Sequence, residues 1–314
     1  FLVAVFSCPL LALFSVGAAL FRAGCNAGFP MKVSVISNVL NIAGNALFIY
    51  GFRWSVAGAA LATLISRVFS MAIIFYALRK PRQVIVIRDY LKIRPDMPLI
   101  WRIMAIGIPS GVENGMFQFG KLAIQSTVST MGTVAIAAQA MTNIMESLNG
   151  VFGVGVGIGL MTVVGQCIGA GRREEAKYYI VKLTGIAWAG ILASCLFVFA
   201  ITKPVTWLAG METEAAAMCL EMVLAITIMK PLVWTGSFVI AYGLRAAGDV
   251  RFSMIVSTIT MWCCRVALCI FLVRVYHFGP MAVWIGMFAD WTVRAVIFCW
   301  RFQSGRWLHG MKAG

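Results

Sequence analysis

Glu113, Asn114, Gln118 and Lys121 all fall within the otherwise apolar run GIPSGVENGMFQFGKLAIQ (107–125). Two chemistries are open to it. Gly115–Lys121 spells G-x-x-x-x-G-K, the first seven positions of a phosphate-binding loop. That loop needs Ser or Thr after the Lys to hold Mg²⁺, and it must lie between a strand and a helix. Leu122 follows Lys121 here, and the run reads as one apolar helix, so nucleotide chemistry is disfavoured. The second chemistry is ion binding. A charge near the centre of a bilayer costs at least about 2.5–3.5 kcal/mol, so it faces a cavity or a partner. Glu113, Phe117 and Lys121 follow i, i+4, i+8, with Asn114 and Gln118 on the adjacent stripe. Eight residues rise about 12 Å, so Glu113 and Lys121 cannot pair directly. The functional reading is a proton or cation site at Glu113, tuned by Lys121. The alternative is a structural polar network between helices. Pro109 and Gly111 would let the helix bend and free a carbonyl for ion coordination.

Other polar residues interrupt apolar runs. Asn41 and Asn45 are i, i+4, with Asn38 one turn earlier; they line a cavity or bond between helices. Asn143 and Glu146 lie on the run after that of Glu113, and either could join its network. Asp290 and Arg294 are i, i+4 in the order that favours an ion pair, and the structural reading is the better one for them. Lys230 and Arg265 are single charges with no evident partner. Only two His exist, His277 and His309, both outside the apolar runs, and no metalloprotease, serine-hydrolase or aspartate-rich prenyl motif occurs. That argues against a membrane-embedded enzyme. The nine Cys lie mostly in apolar runs with no C-x-x-C, and are expected to be small buried residues rather than metal ligands or disulfides. No cofactor is expected beyond a coupling ion, H⁺ or Na⁺.

The elements that must position these residues are membrane helices. The 314 residues are 61% hydrophobic and 12% charged, where soluble domains carry about a quarter charged residues. The composition is that of an all-α membrane protein. Nine spans are expected near 1–21, 33–51, 56–78, 99–131, 133–168, 178–201, 215–243, 252–273 and 281–300. The net charge of +15 would suggest nucleic acid in a soluble chain. Here the cations sort by side. Arg22, Lys32, Arg79, Lys80, Arg82, Arg88, Lys92, Arg94, Arg102, Arg172, Arg173, Lys177, Lys182, Arg245, Arg251, Arg301, Arg306 and Lys312 fall on one side. Only Arg53, Lys203 and Arg274 fall on the other. This positive-inside bias predicts a multi-pass protein of the cell membrane, with the C-terminus and linker 79–98 cytoplasmic and no nucleic-acid partner.

The chain also repeats itself. RAGCNAGFPMKVSVI (22–36) aligns with RAAGDVRFSMIVSTI (245–259), and Ala62 and Arg67 align with Ala289 and Arg294. Thr63 then stands where the second copy has Asp290. Six helices separate the copies, so both cross in the same direction, as parallel repeats do. Symmetry predicts three further helices before Phe1, and a twelve-helix, 6+6 protein with two lobes. On that scheme residues 1–78 are the last three helices of the N-terminal lobe. Residues 79–98 are the linker, 99–301 the six-helix C-terminal lobe and 302–314 a cytoplasmic tail.

GIPSGVENGMFQFGKL, GTVAIAAQAMTN (132–143) and MTVVGQCIGAG (161–171) resemble the multidrug and toxic compound extrusion (MATE) family. So do NVLNIAGNALFIYG with VAGAALATLISR (56–67), and LRAAGDVRFSM. The resemblance covers essentially the whole chain. It implies a two-lobe secondary transporter that exports drugs or organic cations, by alternating access, in exchange for H⁺ or Na⁺. The substrate it implies is a small cationic or amphipathic molecule, handled by a monomer in a lipid bilayer. Glu113 matches the acidic position on the family's seventh helix, and Asn41 and Asn45 match polar positions on its fifth. The tenth-helix acid of some relatives has no counterpart in MKPLVWTGSFVI (229–240), which leaves the coupling ion open. A lipid-linked glycan flippase of the same superfamily is the alternative, with Lys121, Lys230 and Arg265 as its cations.

Overall fold

The computed structural model describes residues 2–80, 86, 95–276 and 278–308. Most of linker 79–98, His277 and the tail from 309 lie outside the described residues. The chain divides into two compact units, Phe1–Pro95 and Asp96–Gly314. The first holds α1 (Leu2–Ala23), α2 (Gly28–Ala46) and α3 (Ser55–Leu78). The second holds α4 (Met97–Val128), α5 (Thr133–Gly169), α6 (Arg173–Leu208), α7 (Thr213–Met229) and α8 (Thr235–Ala246). It continues with α9 (Val250–Thr260), α10 (Leu268–Tyr276) and α11 (Met281–Gln303). Wider π turns at Leu47–Gly51, Lys230–Trp234 and Met261–Ala267 extend α2 and join α7 to α8 and α9 to α10. The described residues therefore form nine long rods.

Eight of these rods are long and apolar enough to cross a membrane. The ninth, α4, is the rod that carries the polar set around Glu113. Its start is set by Asp96, whose Oδ1 accepts a hydrogen bond from the Leu99 N–H at 3.3 Å, with Pro98 in the first turn. α4 stays helical through Pro109. α6 outruns its 178–201 span at both ends, because Glu174 and Glu175 suit a first turn and the helix continues beyond the apolar stretch.

Helix ends follow the same logic. Gly248 has φ +90°, and beyond α8 the Asp249 N–H reaches back to the Leu244 carbonyl at 3.0 Å. Only a residue without Cβ enters that conformation cheaply. The turn closes α8 right behind Arg245 and fixes where that side chain projects. The π turn at 230–234 has a local cause. Pro231 has no N–H to give the preceding turn, and a wider turn absorbs the lost bond.

Packing is inverted relative to a soluble domain. Large apolar residues such as Val35, Ile42, Val151, Phe197 and Leu232 are exposed, where lipid would cover them. Hydroxyls inside the rods bond back to their own helix, as Thr63 does to the Ala59 carbonyl and Thr202 to that of Val198. The first unit packs Ala18, Phe21, Val33, Ile74 and Leu78 together. The second centres on Leu160, Ile180, Ile191, Trp234, Leu244, Trp291 and Phe298. Of the glycines in GVGVGIG (153–159), Gly153 accepts the Trp234 ring and Gly157 the Tyr242 ring, while a Cβ on Gly155 or Gly159 would meet no neighbouring side chain. These are close helix contacts, two residues out of four.

One close approach matters for the site. A Cβ on Gly286 of α11 would meet the backbone carbonyl oxygen of Arg265 at 2.8 Å. Backbone cannot swing aside, so Gly286→Ala is expected to cost about 1–3 kcal/mol by overpacking. Denaturant unfolding of the purified protein measures it, and an unchanged midpoint would show that α11 has slack there.

Candidate functional site

Four charged side chains of the second unit, Asp290, Arg294, Arg265 and Lys230, lie deep in the fold, and a fifth, Glu146, is partly exposed. Asp290 is fully buried, and Arg294 Nη2 donates to its two oxygens at 2.9 and 3.1 Å. Arg265, on the π turn 261–267, brings its Nε to 3.9 Å from the same carboxylate, and its Nη1 lies 3.6 Å from Met261 Sδ. Lys230 is fully buried on the other π turn. Its Nζ donates to Glu146 Oε1 at 2.6 Å and to the Glu146 backbone carbonyl at 2.9 Å. Three cations thus share two carboxylates.

Aromatic rings take up the remaining positive charge. The guanidinium carbons of Arg265 and Arg294 stand 5.2 and 5.6 Å from the Phe117 ring centre, and Lys121 Nζ stands 5.7 Å from it. Arg294 also lies over Phe238 at 5.1 Å and Lys230 over Trp234 at 5.5 Å, and those two rings stack at 4.8 Å. Ring quadrupoles attract cations by about 0.5–2 kcal/mol each, more when water is excluded.

Glu113 is buried on α4, and its Oε1 accepts from Arg245 Nη2 of α8 at 2.5 Å. Its Oε2 has no hydrogen-bond partner among the described residues. The rest of the α4 set departs from the sequence reading. Asn114 and Gln118 are exposed, and Asn114 Nδ2 donates to the Ser110 carbonyl of its own helix at 2.8 Å. Lys121 is exposed and reaches the interior only through Phe117. The Glu113 face is Glu113, Phe117, Gly120 and Ile124, one stripe over from the amides. Asn143 is exposed and takes no part in the Glu113 network, and neither does Glu146, which belongs to Lys230. Lys230 therefore has the partner that the sequence did not reveal.

The first unit has a cavity of about 300 Å³. Ser34, Ser37, Asn38, Asn41, Thr63, Ser66, Arg67 and Ser70 line it, with Leu11 and Phe14. Asn41 Nδ2 donates to Thr63 Oγ1 and Ser66 Oγ, each at 3.3 Å. Asn45 stands behind this wall and donates to Asn41 Oδ1 at 3.0 Å. Arg67 Nη1 donates to Ser7 Oγ at 2.5 Å.

Sequence reasoning missed Arg245, which it counted among the loop cations, and the bond between Glu146 and Lys230. These partners are 132 and 84 residues apart, so no helical spacing signals them. One signal was available. A buried lone charge demands an opposite one, and Lys230 had been left without a partner while Glu146 was assigned to the Glu113 network instead.

Comparison with known proteins fits this architecture. A family model described as MatE matches residues 109–271, just over half of the chain. A second model, described as lipid II flippase MurJ, matches residues 3–95. The probable multidrug resistance protein NorM of Thermotoga maritima is 26% identical over 314 residues, covering 95% of this chain and 64% of that protein. The multidrug resistance protein MdtK of Edwardsiella ictaluri is 25% identical over 291 residues, covering 88% and 62%. The chain thus spans less than two thirds of the length of these relatives. Among solved structures, an outward-facing multidrug resistance MATE family transporter of the MOP superfamily superposes with a TM-score of 0.85. It is 21% identical, covering 95% of this chain and 67% of that one. MATE in the bent conformation superposes at 0.84 with 22% identity, covering 97% and 68%. With the family model spanning the rods that carry Glu113, Glu146, Lys230 and Arg265, this chain belongs to the MatE family of membrane transporters.

Proposed function

We propose that the protein is a secondary active exporter of small amphipathic or cationic drugs, driven by H⁺ or Na⁺ through alternating access in the cell membrane. Residues 79–98 and the C-terminus face the cytoplasm in this reading, as the side bias of Lys and Arg requires. The multidrug resistance proteins among its relatives support the drug class.

One observation carries the coupling. Glu113 is a buried carboxylate whose charge is held by a cation on another rod, with one oxygen left over. A proton or cation bound there competes with Arg245, so occupancy changes the tie between α4 and α8. Ion and substrate drive a conformational cycle only if each binds one conformation more tightly than the other. In this scheme Asn41 belongs to the wall of the first unit's cavity, Asn45 supports it from behind, and Asp290 with Arg294 holds the second unit together. Asn114, Gln118, Lys121 and Asn143 lie on exposed faces of α4 and α5, where they would meet substrate rather than the ion.

Cells expressing the full-length protein with Glu113→Gln are expected to lose ethidium efflux by at least about fivefold, the low end of ordinary coupling energies. Membrane yield should be unchanged. Efflux at the wild-type rate would remove Glu113 from coupling, and lost yield would make it a structural residue. A second reading, flipping of a lipid-linked glycan, is supported by the flippase model that matches residues 3–95. Ethidium transport by the purified protein in liposomes would count against it.

A further inference from the structure

Lys230 is held in the way a small metal cation is held. Its ammonium sits on two oxygens of one residue, Glu146 Oε1 at 2.6 Å and the Glu146 backbone carbonyl at 2.9 Å. A carboxylate together with a backbone carbonyl is the mixed oxygen set that hard cations take, and backbone carbonyls serve Na⁺ in membrane carriers. The ammonium is the enclosed partner, with the side chain of Lys230 fully buried and that of Glu146 only partly so. Gly150 leaves the α5 backbone bare where the lysine arrives: a Cβ there would stand 3.6 Å from Nζ. The Trp234 ring lies 5.5 Å from the same atom.

A structural ion pair would need nothing more, yet the next turn of α5 carries a further polar group. Asn149 follows Glu146 by three residues, adjoins Gly150 and is fully buried. Neither its Oδ1 nor its Nδ2 has a hydrogen-bond partner among the described residues. A buried amide with both ends unmet is costly and marks room for a polar ligand. Charge points the same way. Asp290 and Glu146 are already shared among Arg294, Arg265 and Lys230. Exchanging the ammonium for a monovalent metal leaves the charge of this group unchanged. Adding a metal beside the ammonium would enlarge an excess of positive charge in a water-poor interior.

We propose that Lys230 is a tethered cation filling a monovalent-cation site of the second unit, and that it thereby bars Na⁺ from Glu146. The site is built from the carboxylate and carbonyl of Glu146, with the Asn149 amide oxygen as a further ligand for a metal. Lysine suits the role, being a compact charge with three donors on a flexible stem. Because the stem is anchored in the π turn 230–234, the ammonium competes at the high effective concentration of a linked ligand, and free Na⁺ does not displace it. The proposal deepens the transport reading and rests on it only for the consequence: no Na⁺ is exchanged at Glu146, and Lys230 is the specificity-determining residue.

The test removes the tether and offers the metal. Full-length protein in neutral detergent is unfolded with urea in NaCl and in choline chloride at equal ionic strength. In Lys230→Ala, saturating Na⁺ is expected to raise the folded-to-unfolded ratio at least about tenfold over choline, as a ligand that binds the folded state does. Any response of wild type arises elsewhere in the chain and is shared by all variants, so it is subtracted. Lys230→Ala with Glu146→Gln should show no response beyond it, because the carboxylate is gone. Lys230→Met should show none either, because its side chain fills the ammonium's path without charge. Asn149→Leu in the Lys230→Ala background should weaken the response, and an unchanged response would remove Asn149 from the site. The proposal is overturned if Lys230→Ala does not respond to Na⁺ or folds in neither salt. It is also overturned if the variant lacking Glu146, or Lys230→Met, responds as fully as Lys230→Ala. No transport is measured, so this result and the Glu113→Gln efflux result stand or fall separately.

Discussion

Asp290→Asn is expected to destabilise the second unit by about 3–5 kcal/mol, the usual cost of removing one partner from a buried ion pair. The reason lies in how much this one carboxylate holds. Arg294 takes two contacts from it at 2.9 and 3.1 Å, and Arg265 approaches it at 3.9 Å. Both arginines are buried, and the Nε of each has no hydrogen-bond partner among the described residues. With Asn in place, two guanidinium groups keep their charge in a water-poor interior, and the rings of Phe117 and Phe238, the Met261 sulfur and a neutral amide are left to receive them. Arginine does not escape by losing its proton at ordinary pH. Replacing the cluster together, as Asp290→Leu with Arg294→Met and Arg265→Met, is expected to recover most of the loss, because apolar side chains of similar volume leave no desolvated charge. Urea or SDS unfolding of the purified protein measures both. A single variant that unfolds at the wild-type midpoint would mean that Asp290 holds nothing of consequence.

Glu146→Gln is expected to cost more than Lys230→Met, although the two variants break the same bond. The side chain of Lys230 is 0% exposed and that of Glu146 is 23% exposed. Removing the acid strands an ammonium that cannot reach water, with a carbonyl at 2.9 Å and the Trp234 ring as its remaining partners. Removing the lysine strands a carboxylate that can hydrate, and Met keeps an apolar contact with Trp234. We expect about 2–4 kcal/mol for the first and about 1–2 kcal/mol for the second. The double variant should fall below the sum of the two, since each alone leaves a charge that the other removes. Equal losses, or the reverse order, would show that Lys230 reaches water and that its burial is not what the bond supports.

What could be read in the sequence followed from local physics. Apolar length placed the rods, because each must cross a fixed thickness of hydrocarbon. The spacing of Asp290 and Arg294 identified a pair, because four residues return a helix to the same face. The repeat aligned Thr63 with Asp290 before any distance was known. Other features were not legible. Periodicity could not decide which of the two polar stripes on α4 turns inward, since Glu113 and Asn114 differ by one position. Packing decided it: Gly120 and Ile124 continue the stripe of Glu113, and Gly120 admits Met261. Arg245 sat at a helix end and looked like any other topological cation, yet Gly248 turns the chain just behind it and leaves it on the Glu113 side of the fold.

The long sequence separation of the buried pairs bears on how the chain is made. Glu113 enters the membrane 132 residues before Arg245 is synthesised, and Glu146 enters 84 residues before Lys230. At about 5–20 residues per second, the first carboxylate waits roughly 7–26 s for its cation. During that interval α4, already the least apolar of the rods, is a membrane segment with an unanswered charge. It must be sheltered by the insertion machinery or by protonation until α8 arrives. The order of synthesis thus leaves the rod that carries the candidate coupling residue as one of the last parts of the second unit to settle.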